Sequence, residues 1–217
     1  MPGLISFATG ALLGAALLAL IPHALESGID AHRLSGTVLA GLLIFFVLEK
    51  MVLWRHSHDH HHGEAPTGAS AAGHLILIGD GIHNLVDGVL IASAFLTDIR
   101  LGVLTSLAVV AHEIPQEVGD FAILLHSGFS RMRAFVYNML ASATMVLGGL
   151  LAYFFLSTAS ALVPYVLALA AASFIYIAVA DLIPSLHRRV HIRATIAQTL
   201  LIVAGIALIF VAELTLH

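Results

Sequence analysis

Seven apolar segments, each long enough to cross a lipid bilayer, follow one another along the chain. A transmembrane helix needs about 20 mostly apolar residues. The polar stretches between the segments are short, except for a histidine-rich loop at about residues 55–73. The pattern predicts an all-α fold, a polytopic bundle of seven transmembrane helices that forms a single domain over residues 1–217. The predicted spans are about residues 2–25, 34–54, 74–97, 101–127, 131–157, 160–184 and 191–214.

Composition supports a membrane protein and narrows the chemistry. Hydrophobic residues make up 59% of the chain and charged residues 10%, whereas a soluble domain carries about 25% charged residues. The chain has no cysteine, which excludes disulfides and thiolate metal ligands. It also has no basic patch of the kind that nucleic acid requires. The expected surroundings are therefore a lipid bilayer, with no nucleic acid partner.

The nine Lys and Arg residues set the expected orientation, because cytoplasmic loops of membrane proteins collect basic residues. Seven lie on one side of the predicted bundle and two on the other. We therefore expect the N-terminus and the histidine-rich loop in the cytosol and the C-terminus outside. The seven are Lys50, Arg55, Arg131, Arg133, Arg188, Arg189 and Arg193, and the two are Arg33 and Arg100.

The fourth segment contains a polar motif, HEIPQEVGD, which begins at His112. On a helix, His112, Gln116 and Asp120 fall on one stripe, four residues apart. Glu113 and Glu117 fall on the adjacent stripe. The segment is therefore expected to have one polar face, and the proline of the motif is expected to kink it.

The third segment repeats this arrangement in the motif GDGIHNLVDG. Asp80, His83 and Asp87 lie at positions i, i+3 and i+7 of one helical face, with Asn84 at i+4. His83 and Asp87 have the spacing of a helical pair of metal ligands. Two dense polar faces on successive helices favour a shared site over isolated polar contacts.

The cost of burying acids in a bilayer indicates what this site holds. One acid at the bilayer centre costs about 2.5–3.5 kcal/mol, and no Lys or Arg is expected inside the bilayer to neutralise it. Protons or a bound cation could do so. The mixture of imidazole, carboxylate and amide favours a divalent first-row metal ion. The alternative is a set of hydrogen bonds that only cross-link the helices. The acids concerned are Asp80, Asp87, Glu113, Glu117 and Asp120.

At these motifs the chain resembles the ZIP family of divalent metal transporters. HNLVDG on one helix followed by HEIPQEVGDFAILL on the next is most similar to the branch whose second motif reads HExPHExGD. The resemblance extends to GALLGAALLALIPHALE, FFVLEK and YIAVADLIP, and so covers most of the chain.

The resemblance implies a transporter rather than an enzyme, with zinc as the substrate. Cadmium, iron(II) and manganese(II) are alternatives, and no organic cofactor is expected. Metal would pass toward the cytosol through an intramembrane centre between the third and fourth helices, where two carboxylates could bridge two ions. The resemblance leaves open whether the protein is a homodimer. The implied ligands are His83, Asn84, Asp87, His112, Glu113 and Gln116.

The chain departs from the family pattern in two respects. The family usually has eight helices, and the first span here matches the family's second, so the usual first helix is either missing from the protein or lost from this sequence through a late start or truncation. Gln116 stands where the related branch has histidine. A neutral amide oxygen is a weaker donor than imidazole, so metal preference is expected to differ.

Further polar residues are candidates for the second shell or the metal pathway. Asp80, Glu117 and Asp120 lie on the two polar faces. His23, Asn138 and Asp181 lie on other segments, His23 at the outer end of the first and Asp181 at the inner end of the sixth. The histidines of the loop are expected to bind metal weakly, or to have no required role. They are His56, His58, His60, His61 and His62.

Two other functions fit parts of the pattern. HEIPQ approaches the zinc protease motif H-E-x-x-H, which would make the chain an intramembrane metalloprotease. However, Gln116 replaces the second histidine, and the two faces offer more than the three protein ligands of a catalytic zinc. A membrane metal sensor that does not transport is the other alternative, and it is favoured by the apparent lack of one helix.

Overall fold

The computed structural model describes residues 2–58, 67–187 and 191–216. Over these ranges the chain forms seven long helices and no strand, which confirms the all-α prediction. The helices are α1 Pro2–Glu26, α2 Ala31–His58, α3 Thr67–Thr97, α4 Ile99–His126, α5 Arg131–Leu156, α6 Ser160–Leu186 and α7 Ile192–Leu216.

Six of the helices in the described part of the chain are long and apolar enough to cross a membrane. The exception is α4, which has 28 residues and so is long enough, but carries Glu113, Glu117 and Asp120. It packs against α3 and α1 within the bundle. The polar face that HEIPQEVGD predicted can therefore lie against neighbouring helices and not against lipid.

Short connections join α1 to α2, α3 to α4, α4 to α5 and α5 to α6. Gly28 and Gly128 both adopt φ of 86° where α1 and α4 end, a conformation that is easy for glycine and strained for other residues. The next helices begin with side-chain caps: Asp30 accepts from His32 N–H and Arg33 N–H. Such short connections make the helices that they join run antiparallel.

The two ends of the predicted histidine-rich loop, about residues 55–73, are helical in the structure. Residues 55–58 continue α2, and residues 67–73 belong to α3. His60, His61 and His62 lie outside the described residues. The other two histidines of the predicted loop, His56 and His58, belong to the end of α2.

Two helices contain a π-helical turn followed by Ile-Pro. In α1 the turn is Ala15–Leu20 and in α6 it is Ile177–Leu182. The two helices pack antiparallel, so that the second half of each contacts the first half of the other. A π turn leaves backbone groups out of the regular ladder and often marks a functional position. Neither turn was visible in the apolar pattern.

Small residues bring two pairs of helices into backbone contact. A Cβ atom on Gly88 of α3 would lie 1.9 Å from the Met145 carbonyl oxygen of α5, and one on Gly10 of α1 would lie 2.0 Å from the Ile202 carbonyl oxygen of α7. Close approach through small residues is a common way to hold membrane helices together, because lipid gives no hydrophobic drive between them. The α3–α5 contact also fixes the position of Asp87 along the bundle, because Asp87 directly precedes Gly88.

Candidate metal centre

The centre forms where the polar faces of α3 and α4 meet. The turn at Asp98 makes the two helices antiparallel neighbours, so residues at similar distances from the turn lie side by side. His83 and Asp87 of α3 meet His112 and Glu113 of α4. These four are among the ligands that the resemblance implied, and their binding of metal stays a prediction.

The four side chains converge on one point. One ligand atom from each lies within 4.8 Å of the other three. His112 Nε2 is 3.1 Å from Asp87 Oδ2 and 3.4 Å from Glu113 Oε1. His83 Nε2 is 3.3 Å from Glu113 Oε1 and 3.4 Å from His112 Nε2, and 3.8 Å from Asp87 Oδ2. Ligand atoms about 2.0–2.1 Å from a tetrahedral zinc ion are about 3.3 Å apart, so the spacing suits such an ion.

The orientation of His112 favours a cation in this space. Its Nδ1 is 3.2 Å from the Ala108 carbonyl oxygen. A carbonyl only accepts, so Nδ1 carries the proton and donates. In the neutral ring, Nε2 then presents a lone pair to the oxygens of Asp87 and Glu113. Acceptors face acceptors unless a proton or a metal ion lies between them, and ligating histidines commonly donate their other N–H to a carbonyl in this way.

Burial strengthens that requirement. Asp87 is fully buried, His112 is 1% exposed and Glu113 is 8% exposed. Both carboxylate oxygens of Asp87, and Oε1 of Glu113, have no hydrogen-bond partner among the described residues. A buried carboxylate without a partner carries a large free-energy penalty, which a divalent ion would remove.

Asn84 and Asp80 lie beside the centre on α3. Asn84 is fully buried, and its Nδ2 donates to Asp80 Oδ1 at 2.9 Å and to the Asp80 carbonyl oxygen at 3.2 Å. Asn84 Oδ1 has no partner among the described residues. The amide is therefore oriented by Asp80 and keeps its oxygen available to an ion.

Gln116 and Asp120 continue the His112 stripe along α4. Both are half-buried. Gln116 stands where the protease motif H-E-x-x-H has its second histidine, so that motif is incomplete in this chain.

Glu117 is tied to α5. Its Oε1 accepts from Ser142 Oγ at 2.5 Å, and its carbonyl oxygen accepts from Asn138 Nδ2 at 3.1 Å. Asn138 is 7% exposed. The structure thus brings the predicted residue Asn138 to the edge of the polar region. By contrast, Asp181 is exposed on the π turn of α6.

His23 lines a second polar cavity at the other end of the bundle. Its Nδ1 donates to the Ala19 carbonyl oxygen at 2.9 Å and lies 3.8 Å from Glu213 Oε1 of α7. The cavity has a volume of about 320 Å³. It is lined by His23, Glu26, Ser27, Thr97, Asp98, Arg100 and Glu213.

Two acids of this cavity, Asp98 and Glu213, were not among the candidates from the sequence. Asp98 caps α4, and hydrogen bonds from the N–H groups of Arg100 and Leu101 hold the pKa of its carboxyl below the usual range. Glu213 is the only acid in α7. An acid in an otherwise apolar helix could have marked Glu213 as a candidate. Its contact with His23, however, depends on how α7 packs and could not be predicted from the sequence.

The bundle and the converging ligands define the class: an integral membrane protein of several spans with a candidate intramembrane metal centre. Comparison with known proteins identifies the family. The profile of the family described as "ZIP Zinc transporter" matches residues 54–213. The chain belongs to this family, and the prediction that it is a transporter and not an enzyme is confirmed.

Individual relatives agree with this assignment. The chain is 31% identical to the zinc transporter ZIP13 homolog of Drosophila melanogaster, over 96% of this chain and 76% of the relative. It is 34% identical to zinc transporter ZIP13 of Pongo abelii, over 97% of this chain and 66% of the relative. It is 37% identical to zinc transporter YKE4 of Saccharomyces cerevisiae, over 58% of this chain and 41% of the relative. The chain thus spans from about two fifths to three quarters of these relatives.

Proposed function

We propose that this protein carries divalent metal ions across the membrane toward the cytosol, with zinc as the main substrate. The observation that carries the proposal is the convergence of two imidazoles and two buried carboxylates on one point, without hydrogen-bond partners for the carboxylate oxygens that face it. Membership in a family of zinc transporters supports the same function.

The four converging residues hold the ion in this proposal. His83, Asp87, His112 and Glu113 replace its water shell with nitrogen and oxygen ligands. Asn84 supplies a further oxygen at the edge of the centre, and Gln116 one from the next turn of α4. A site for passage must bind strongly enough to remove water and weakly enough to release the ion.

Mixed nitrogen and oxygen ligands do not restrict the site to zinc. Imidazole suits zinc and iron, whereas carboxylate also suits manganese. Cadmium, iron(II) and manganese(II) are therefore secondary candidates. Carboxylates of Asp87 and Glu113 have enough oxygens to bridge two ions, which would make the centre binuclear.

Uptake into proteoliposomes tests the function. The purified full chain is reconstituted, and zinc, cadmium, manganese and iron(II) uptake are compared for wild type, Asp87→Asn and Glu113→Gln. Both changes keep the side-chain shape and remove a charge. We expect saturable zinc uptake by wild type and none above the liposome background for either variant.

Asp30→Asn is the matched control for charge. Asp30 is exposed and caps α2, and asparagine caps helices as well as aspartate does. This variant should transport like wild type. Zinc binding by wild type without any uptake would instead favour a membrane metal sensor, and unchanged uptake by Asp87→Asn would exclude the proposed centre.

The proposed orientation places the N-terminus inside. Because the chain has no cysteine, single cysteines report sidedness without background. In intact cells a membrane-impermeant thiol reagent should label Ser27→Cys, in the turn after α1, and not Met132→Cys, at the start of α5. The opposite labelling would reverse the orientation.

A further inference from the structure

Three residues of α3 form a stripe that faces α5 and runs beside the stripe of candidate metal ligands. They are Gly81, Leu85 and Gly88, at positions i, i+4 and i+7 of the helix. Gly88 lies against the backbone of α5, and so does Leu85, since a Cβ atom on Gly148 would lie 2.0 Å from the Leu85 carbonyl oxygen. At Gly81 the contact is different, because a polar side chain of α5 makes it.

That side chain is Thr144. Its Oγ1 is 2.6 Å from the Gly81 carbonyl oxygen of α3 and 2.7 Å from the Ala141 carbonyl oxygen of its own helix. A carbonyl only accepts, so the single hydroxyl proton of Thr144 lies between one oxygen on each helix. The Thr144 methyl carbon would be 3.7 Å from a Cβ atom on Gly81, which is an ordinary packing distance. The hydroxyl therefore links α5 to α3, and the methyl group packs beside that link.

The backbone of α5 changes at this same place. It is helical over Arg131–Ser142 and again over Thr144–Leu156, with an interruption at Ala143. Threonine hydroxyls that bond back to a carbonyl of their own helix are often found at bends. The bend and the hydrogen bond to Gly81 thus occur at one level of the bundle, close in sequence to His83 of α3.

Of the two imidazoles in the centre, His83 is the one that needs such support. His112 Nδ1 donates to the Ala108 carbonyl oxygen, which orients the ring. Every polar contact of the His83 ring with the described residues is made by Nε2, the atom that faces the centre. The His83 side chain is also 22% exposed, against 1% for His112. The direction of His83 Nε2 is therefore set by where the α3 backbone stands.

We propose that Thr144 is a positioning residue for the metal centre: its hydroxyl donates to the Gly81 carbonyl oxygen and so holds the backbone from which His83 reaches the ion. The inference rests on the proposed centre and transport function. Asp87 depends less on Thr144, because the backbone contact at Gly88 directly follows it. Loss of the hydroxyl should therefore displace the imidazole ligand of α3 and leave the carboxylate in place.

This difference makes a prediction about metal preference. Imidazole favours zinc, whereas carboxylate also suits manganese(II). Thr144→Val keeps the shape of the side chain and removes the hydroxyl, and Thr144→Ser keeps the hydroxyl. We expect Thr144→Val to bind zinc on the order of tenfold more weakly, with a smaller loss for manganese(II). Thr144→Ser should match wild type in both affinities.

The experiment is equilibrium titration of the purified full chain in detergent with zinc and with manganese(II). All versions carry serine in place of the five histidines of the predicted loop, so that this segment adds no binding. Thr37→Val is the matched control, because the Thr37 hydroxyl donates to the Arg33 carbonyl oxygen of its own helix at 2.8 Å. This control should leave both affinities unchanged. The five histidines are His56, His58, His60, His61 and His62.

Cobalt(II) gives a readout that looser packing alone would not change. The visible absorption of bound cobalt(II) depends on the number, type and geometry of its ligands. Thr144→Val should alter the cobalt spectrum, and Thr144→Ser should restore it. The melting temperature of the metal-free protein is measured beside it, since a purely structural role would lower that temperature and leave the spectrum as it is.

A double-mutant cycle tests the route through His83. In a His83→Ala background the imidazole is already gone, so adding Thr144→Val should weaken zinc binding by less than about twofold. A further loss on the order of tenfold in that background would overturn the inference, because Thr144 would then act through another ligand.

The remaining outcomes also decide the matter. Unchanged zinc affinity and an unchanged cobalt spectrum in Thr144→Val would overturn the inference, and so would a Thr144→Ser variant that behaves like Thr144→Val, since the methyl group would then be what counts. If Thr144→Val does not fold, Thr144→Ala takes its place with the same expectations. Failure of both to fold would show that the hydroxyl holds the bundle and not the centre. The proposed function fails separately, if zinc binding and uptake by wild type do not depend on Asp87.

Discussion

The centre between α3 and α4 and the cavity around His23 use the same residue types in different geometry. In the centre, four ligand atoms lie within 4.8 Å of one another and the carboxylate oxygens are buried. In the cavity, His23 and Glu213 are 3.8 Å apart, Glu26 is exposed, and Arg100 adds a positive charge in about 320 Å³ of space. Histidines and acids thus converge in the first region and stay apart in the second, which makes the first the candidate ion centre. We expect the cavity only to attract a hydrated ion.

Equal changes in the two regions should have unequal effects. Asp87→Asn removes a converging ligand and should abolish zinc uptake, whereas Glu213→Gln should leave at least about half of maximal uptake, because a hydrated ion in a wide cavity has no fixed ligand there. Uptake rates are normalised to the reconstituted amount of each variant. Equal loss in both would show that the cavity, too, holds the ion directly.

We expect the centre to depend also on the distance between α3 and α5, whereas the cavity around His23 should not. Gly88→Ala places a methyl group against the Met145 carbonyl oxygen and must push α3 from α5. Overpacking of this kind costs about 1–3 kcal/mol, and the shift also moves Asp87. We expect Gly88→Ala to lower thermal stability and to lose most zinc uptake.

Gly119→Ala on α4 is the matched control for this change. A Cβ atom there would meet no heavy atom within 4 Å, so stability and uptake should stay close to wild type. If Gly88→Ala transported normally, the close contact of α3 with α5 would not position the centre.

The sequence predicted the bundle well because apolar length and polar spacing are local properties. The seven spans, the faces of α3 and α4, and the meeting of His83, Asp87, His112 and Glu113 follow from helical periodicity and antiparallel connection. The π turns of α1 and α6 did not follow, since a π turn adds no signal to an apolar segment.

Other features depended on contacts between distant residues. Glu213 meets His23 through the packing of α7 on α1, which no local pattern encodes. Likewise, Ser142 satisfies one oxygen of Glu117 and leaves the other orphaned. Asn138 and Ser142 are hydrogen-bonding residues in an apolar segment, but only the structure shows that both donate to Glu117 of α4.

Gln116 gives a way to add a ligand to the centre. Gln116→His places an imidazole one turn after His112, and imidazole favours zinc over manganese. We expect the apparent affinity for zinc to rise by about tenfold relative to manganese, while maximal flux falls because release is slower. Imidazole titrates near pH 6.5 and cannot bind metal when protonated, so the gain should disappear below about pH 6.

The measurement compares zinc and manganese uptake against concentration at neutral and mildly acidic pH. Gln116→Glu serves as the control, because it adds a charged oxygen ligand without the titration of imidazole. An unchanged zinc-to-manganese ratio in Gln116→His would show that this side chain does not reach the ion.

Arg100 should give the smallest effect and would define the role of the cavity. Arg100 is exposed and lines the cavity with Asp98 and Glu213. Asp98 stays ionised, because the N–H groups of Arg100 and Leu101 keep the pKa of its carboxyl low. Arg100→Gln makes the cavity more negative, so the zinc concentration for half-maximal uptake should fall by about two- to fivefold at low salt. Because exposed charges are screened at physiological ionic strength, the difference should vanish there, and maximal flux should not change. An effect that persisted at high salt would instead mean that Arg100 holds the packing of α4, since a contact of that kind does not depend on screening.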